Sequence, residues 1–514
     1  MRQLFLAGLL LTILSASGQG AMDAIRYSMI GAGGTARSYG LGGGFSSIGA
    51  DASAIMVNPA GLAAFRRNEY NFGFQFLNTA NKSDYLDENL RESRLNFNLP
   101  TMNLILAQIK FDDKGKPRKK GLTNINYQLG INRMVNYNNR IAFDATNRQS
   151  SISDFLANIA SNENADPFNL PLGSLPRLAY DAGAISNFTS TTQYTSGYKD
   201  SVRNSRQTGE IAQKGGIYEY QVGLGVNFSH KILMGLGLYY TSLSFSEEMS
   251  LLETDQRPAG TMAQADMSTI DYQAKFMDKG NAFGARFGII GRPTEQLRIG
   301  FSVHTPRTYT INSEYGYSIG VTLDPLTGFS NPPAQYNDPL STYKYKVTTP
   351  ARYNAGVGLV VAKTGLINAE FDFYDYTQTR LSATDAVSYA TENNNLRRNY
   401  RNVMNIRVGG ELNIPNPEDP EQAYRLRAGL AIYQNPFSTK TAGTDEILKK
   451  ANTQMSAGFG FRDKDYYLDF SLSYGTNSYY FTPYLTGSSY FPASTITNKQ
   501  SRVAFSFTAG FNFD

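Results

Sequence analysis

The sequence has no cysteine and no tryptophan, only two histidines in 514 residues, and 18% charged residues, below the share usual in soluble domains. Without cysteine there is no disulfide, no thiolate metal site and no thiol nucleophile. A formal net charge of +5 is too small to argue for a nucleic-acid partner. Long apolar runs are also missing. Beyond the first residues none approaches the roughly 20 a spanning helix needs. If the mature chain is integral to a membrane, it must therefore cross as a closed barrel, the other architecture that pairs all its backbone groups in lipid.

What is present in excess is aromatic: 34 Tyr and 31 Phe. The mean hydropathy of −0.36 does not count against a transmembrane barrel, because polar lumen residues dilute the lipid-facing ones. The chain begins MRQLFLAGLLLTILSASGQG. Arg2 supplies a positive n-region, residues 4–14 an apolar stretch of signal-peptide length, and Ala16-Ser17-Gly18 a small-residue cleavage site before Gln19. Residues 1–18 are thus expected to be a signal peptide, and the mature protein to be exported.

Residues 31–65, GAGGTARSYGLGGGFSSIGADASAIMVNPAGLAAF, carry Arg37 and Asp51 as their only charges. Glycine at this density is costly in regular helix or strand and points to tight turns or close backbone approach. From Glu69 onward the pattern changes to two-residue alternation. Tyr70, Phe72, Phe74 and Phe76 share one face, with Asn71, Gly73 and Gln75 on the other. Similar runs occupy residues 94–109 (with a break expected near Pro100), 123–134, 217–228, 231–247, 282–292, 297–305, 351–361, 366–376, 402–412, 424–433, 453–461, 466–474 and 501–513. That makes about fourteen strands, an even number as in bacterial outer-membrane barrels.

The connections alternate in length. Residues 229–230, 293–296, 362–365 and 463–465 are short, and 112–121 and 413–422 intermediate. Residues 79–92, 135–216, 249–281, 306–345, 377–401, 435–451 and 475–499 are long. Short turns on one side and long loops on the other are the outer-membrane signature, and they place both termini in the periplasm. The longest loop, 135–216, contains a short helix expected over 153–160, opened by Ser153 or Asp154. Tyr239-Tyr240, Tyr466-Tyr467 and Tyr479-Tyr480 are candidates for interfacial girdles in a protein without tryptophan.

Residues 36–65 resemble the N-terminal hatch of the FadL-type outer-membrane hydrocarbon transporters. The match rests on Ala36-Arg37-Ser38, the run Gly42-Gly43-Gly44-Phe45, Asp51-Ala52-Ser53-Ala54, and Asn58-Pro59-Ala60-Gly61-Leu62. Further matches are Arg292-Pro293-Thr294 leading into Leu297-Arg298-Ile299-Gly300, His304-Thr305-Pro306, and Thr349-Pro350-Ala351-Arg352-Tyr353. The long polar loops resemble a Bacteroidetes-like branch, some of whose members carry a hemin-receptor label. The resemblance implies an all-β fold: a transmembrane antiparallel barrel of about 14 strands, with residues 19–66 as a hatch inside the lumen and 67–514 as the barrel. It implies a monomer in the outer membrane, with lipid around it and a small hydrophobic ligand such as a long-chain fatty acid within.

If the apolar sets face lipid, the opposite parity faces the lumen. It includes Arg286, Arg298, His304, Glu370, Asp372, Arg407, Glu411, Arg425, Arg427 and Asp469. One reading is a salt-bridged interior that fills the barrel and anchors the hatch, with Arg37 and Asp51 pairing to wall charges. The other is that one arginine grips a ligand carboxylate bidentately. Glu370 and Asp372 share a face, but no nucleophile, oxyanion hole or metal set accompanies them, so no enzyme and no metal site is expected. No cofactor is expected either; a haem ligand would look to His304, placed near an external mouth. A structural platform for surface or secreted partners remains an alternative to transport.

Overall fold

The computed structural model describes residues 20–31, 33–187, 191–198, 204–256, 267–323, 334–337, 341–384, 388–438, 450–484 and 494–513; the expected signal peptide lies outside them. Fourteen barrel strands follow one another. They are β1 (Asn68–Tyr85), β2 (Glu88–Ile109), β3 (Leu122–Asn136, continued by Asn139–Asn147), β4 (Ser205–Phe228), β5 (Ile232–Asp255), β6 (Met267–Gly291) and β7 (Leu297–His304, continued by Thr308–Leu323). Then come β8 (Ser341–Thr348, continued by Arg352–Val361), β9 (Gly365–Asp375, continued by Arg380–Ala383), β10 (Asn402–Pro415), β11 (Ala423–Tyr433), β12 (Asn452–Arg462), β13 (Tyr466–Phe481) and β14 (Ile496–Phe513). Each pairs antiparallel with the next, and β1 closes on β14 from Asn68 against Phe513 to Asp84 against Thr497. The circuit is closed, but β2 and β3 pair only from Thr101 against Asn132 to Ile109 against Asn124, and the outer arm of β2 pairs with β1 alone.

The parity expected from the sequence holds through the wall. Leu129, Val222, Leu238, Phe283 and Phe505 point outward and are exposed, while Asn103, Gln221, Arg286 and Asp469 point inward and are buried. An apolar girdle of this extent is untenable in water and matches a lipid surface. A groove of 1010 Å³ across the outside of β2–β6 is part of this girdle. The tyrosine pairs behave differently from expectation. Tyr240 and Tyr466 face out, but Tyr239 and Tyr467 are buried inside, since neighbours on a strand take opposite faces. Tyr479 also turns inward, its hydroxyl accepting from Asn139 Nδ2 at 3.3 Å.

All fourteen expected strands are present, and several run further than the alternation indicated. Residues 79–92 are the far arms of β1 and β2, joined by the two-residue turn Leu86-Asp87 with φ of 52° and 69°. Much of 249–281 and 306–345 is likewise strand. There the ladder continues while polar and apolar residues mix on both faces, so the period-two signal fades. β2 is unbroken at Pro100; its register against β1 slips between Gly73 and Gln75, which accommodates a residue without an N–H.

Five α-helices are described as well, α1 (Ala21–Ser28), α2 (Ala36–Gly40), α3 (Ile152–Asn162), α4 (Leu175–Asp181) and α5 (Ala390–Asn399), together with short 3-10 turns, the strand Ala334–Asn337 against β7 and the small ladder of Ile185–Ser186 with Thr195–Ser196. The helix expected over 153–160 is α3, and its N-cap is Ser151. The Ser151 hydroxyl accepts from Ser153 N at 3.1 Å, and Asp154 closes the box on Ser151 N at 2.8 Å. Ile152, Leu156 and Ala160 of α3 and Leu178 of α4 pack with Leu251, Ile270 and Ile319 of the strand extensions. This forms a small second core at the long-connection end. Phe513 lies at the short-turn end, whereas residues 20–30 lie inside the barrel, α1 packing against Tyr137, Phe245 and Tyr345.

Candidate functional site

The hatch is built from short capped turns. Thr35 caps α2, Asp51 caps the 3-10 turn Ala52–Met56, and Asn58 caps Pro59–Ala64. Asn58 Oδ1 accepts from Ala60 N at 3.0 Å, and Pro59 sits where a helix start needs no N–H. Asn58 Nδ2 donates to Ser46 O at 2.7 Å, tying two turns together. Asp51 spends its carboxylate inside the hatch, accepting from the Thr35 hydroxyl at 2.9 Å and the Ser53 hydroxyl at 2.7 Å. The expectation that Asp51 pairs with the wall is therefore corrected: its oxygens are taken up by its own cap. Gly42 and Gly49, with φ of 68° and 72°, make the reversals between turns.

Of the ten lumen candidates, Glu370, Asp372, Arg407, Glu411, Arg427 and Asp469 form two adjoining networks. In the first, Arg407 Nη1 lies 2.6 Å from both Glu370 Oε1 and Asp372 Oδ2. Arg352, which the sequence reading did not place among the lumen charges, grips Asp372 with two bonds of 2.9 Å. The free oxygen of Glu370 accepts from the backbone N–H groups of Phe45 and Ser46 at 2.7 and 2.8 Å. A wall carboxylate thus caps the hatch turn that follows the glycine run. In the second network, Arg37 of the hatch makes a bidentate contact with Glu411 at 2.8 and 3.0 Å. Glu411 also accepts from Arg427 at 2.6 Å, and Arg427 reaches Asp469 at 2.7 Å. Burial pulls the Arg37 guanidinium down, but Glu411 and Asp51 outweigh that and leave it above its ordinary range.

The other candidates sit apart. Arg286 donates to Ile55 O of the hatch at 3.0 Å and pairs with Glu219 at 2.5 Å, both side chains fully buried. Arg298 donates to Ile48 O at 3.2 Å, and Arg425 to Asn413 at 3.2 Å, with no carboxylate among the described residues within ion-pair distance of either. His304 is not at a mouth. Its Nε2 faces Val57 O of the hatch at 2.8 Å in a fully packed position. A haem needs an axial ligand with open space beside it, and His304 offers neither, so these residues do not fit that group.

Two features of the seat lie outside the sequence reading. First, polar amides on β3 hold the hatch backbone: Asn124 to Ala63 O at 3.0 Å, Asn126 to Leu62 O at 2.7 Å and Gln128 to Ala52 O at 2.9 Å. Second, the wall carries glycine at several of the places where the hatch chain crosses it. A Cβ at Gly235 would strike the Pro59 carbonyl, at Gly300 the Ser46 carbonyl, and at Gly429 the Gly42 nitrogen. The close approach that the hatch glycines suggested depends equally on these strand glycines. Their inward parity was a usable signal.

Beyond the hatch, away from the short turns, the lumen is filled by an apolar and tyrosine-rich cluster. Ile55 and Met56 form its floor, and Tyr309, Tyr345, Tyr374 and Tyr376 line its wall with Ile217 and Val347. Helix α1 lies in it. Asp23, buried there, is pushed up to about 6 by burial, against the pull of Arg26 2.5 Å away.

No family model and no curated protein matches the sequence. Solved structures do. A Pseudomonas aeruginosa FadL homologue is 11% identical, with 95% of this chain and 100% of that one covered and a TM-score of 0.52. The Pseudomonas putida toluene transporter TodX is 11% identical, with 94% and 99% covered and a TM-score of 0.50. A deltaS2 mutant of the TodX monoaromatic hydrocarbon channel is 13% identical over 94% and 99%, with a TM-score of 0.53. At such identities the likeness is one of fold, and it extends over nearly the whole of both chains. The chain therefore has the fold of the FadL-type transporters, a closed fourteen-stranded barrel with an N-terminal hatch in its lumen.

Proposed function

We propose that this protein admits small hydrophobic molecules passively across an outer membrane, long-chain fatty acids among them. The observation that carries the reading is the order of layers along the lumen: an apolar, tyrosine-rich cluster, then a hatch tied to the wall by buried ion pairs, amide contacts and small apolar clusters. An apolar solute gains about 25 cal/mol for each Å² it buries among such side chains. The hatch then decides passage, since a shift of one short segment opens the short-turn end while the barrel stays intact. The short-turn end faces the periplasm, with Phe513 on that side, and the α3–α4 cap faces outward. The barrel acts as a monomer, its girdle covered by lipid. The solved structures of like fold include a toluene transporter and a hydrocarbon channel, which supports an apolar cargo without fixing which one. The test is uptake of radiolabelled palmitate and toluene by cells with and without the protein. Faster uptake of either by expressing cells is expected; equal uptake of both overturns the reading.

A further inference from the structure

The arginines that seat the hatch are neutralised by carboxylates: Arg37 by Glu411, Arg286 by Glu219, Arg352 by Asp372, Arg407 by Glu370 and Arg427 by Asp469. Three cations at the short-turn rim, Arg66, Arg292 and Arg298, have no such partner among the described residues. Arg298 stands at the start of β7 with the inward parity of Gly300 and His304, and its Nη1 reaches only a carbonyl, Ile48 O of the hatch. β7 pairs with β6 through Ile299 against Gly291, so the next step of the ladder sets Arg298 opposite Arg292. Like charges placed directly opposite on a ladder repel. Arg292 has the parity of Ile290, which packs on Ala60 and Ala63 of the hatch. Its side chain makes no hydrogen bond among the described residues, and its Nε is buried without a partner.

Arg66, where the hatch leads into β1, adds the third charge. Its Nη2 donates to Nδ1 of His230, in the β4–β5 turn, at 2.8 Å, so this ring is a neutral acceptor and not a fourth cation. Burial, Arg298 and Arg66 together pull the Arg292 guanidinium below its ordinary range. Glu295, in the turn between β6 and β7, is exposed and pairs with none of the three. Arg66 is exposed, and Arg292 and Arg298 are half-buried, on the side of the hatch away from the tyrosine-rich cluster. We propose that Arg66, Arg292 and Arg298 form an exit site that takes the carboxylate of an acid leaving past the hatch. This rests on the uptake reading and deepens it: the cargo is an acid with an apolar tail. Two guanidinium forks on neighbouring strands suit the two oxygens of a carboxylate. A carboxylate on its way from a poorly solvated lumen into water needs a counterion most at this point, and the site needs an anion.

Uptake of radiolabelled laurate and dodecan-1-ol, each taken as the difference between cells with and without the protein, tests this. The two probes share an alkyl tail and differ in the head group. Arg292→Gln is expected to slow laurate uptake about tenfold, the effect of one charge-assisted hydrogen bond, and to leave dodecan-1-ol uptake as it was. Arg292→Lys keeps the charge and should retain most of the laurate rate. Arg292→Glu gives Arg298 a counterion of its own and should stop laurate uptake while dodecan-1-ol still enters. Heat-modifiable gel migration reports an intact barrel in each variant. Unchanged laurate uptake in Arg292→Gln, or equal slowing of both probes, overturns the site and leaves hydrophobic uptake standing. So does an unaltered chain that carries dodecan-1-ol but not laurate. Uptake of neither probe by the unaltered chain removes the reading on which the site rests.

Discussion

The residue that does most for the hatch is Glu370. One of its oxygens answers Arg407 and the other caps the Phe45 and Ser46 amides. In the sequence it is one of two acidic residues on a strand face, read as lumen lining because no nucleophile, oxyanion hole or metal set accompanies them. Parity alone placed it inside. What parity omitted was the partner set, because Arg352 and Arg407 come from the two strands flanking that of Glu370, and Phe45 from the hatch. Removing one member of a buried charge network leaves the others unpaired, at a cost of about 3–5 kcal/mol. Glu370→Ala is expected to loosen the hatch without unmaking the barrel, seen as raised single-channel conductance in planar bilayers with unchanged gel heat-modifiability. Glu370→Gln keeps an acceptor for the two amides and should raise conductance less.

Among elements, the strands were legible in their membrane-facing parts and obscure beyond them. The alternation of Tyr466, Leu468, Phe470 and Leu472 marks β13 because lipid and lumen demand opposite chemistry. No such demand acts on residues 79–92, and a hairpin was read as a loop. The turns show a second shortfall. Ala362-Lys363 between β8 and β9 adopts φ of 49° and 63°, a left-handed pair that ordinary residues enter at a cost of roughly 1–2 kcal/mol each. Replacing the pair by Asn-Gly is expected to stabilise the barrel by about 1 kcal/mol, measured as a higher urea midpoint for unfolding from detergent micelles. A lower midpoint would mean that the side chains of this turn contribute more than its backbone strain removes.

At the scale of the molecule, the barrel and hatch are separable in one direction only. The wall closes through its own ladder, from Asn68 against Phe513 onward, without any backbone from the hatch. The hatch has little core of its own: Leu41, Phe45, Ile48, Ala54 and Val57 cluster with Leu366 of the wall. Deleting residues 31–64 is therefore expected to leave an assembled barrel that conducts ions freely, measured by conductance and by sensitivity of cells to large antibiotics. An assembled but impermeable mutant would show that the α3–α4 cap, not the hatch, closes the lumen.

By itself the sequence determined the strand count, the inward and outward faces and the place of the glycine-rich segment at the start of the wall. These follow from short-range rules: period two on a pleated strand, and the absence of any spanning helix. Only the tertiary structure decided which charges meet, that Asp51 turns inward to its own cap, that His304 backs the hatch, and that α1 brings Tyr27 to Asp278. The His304 and Tyr27 pairings span about 250 residues and are set by closure of the barrel; the Asp51 cap is local but forms only once the hatch turns fold together. Until β14 returns to β1, parity says that a side chain faces the lumen but not what it faces across it.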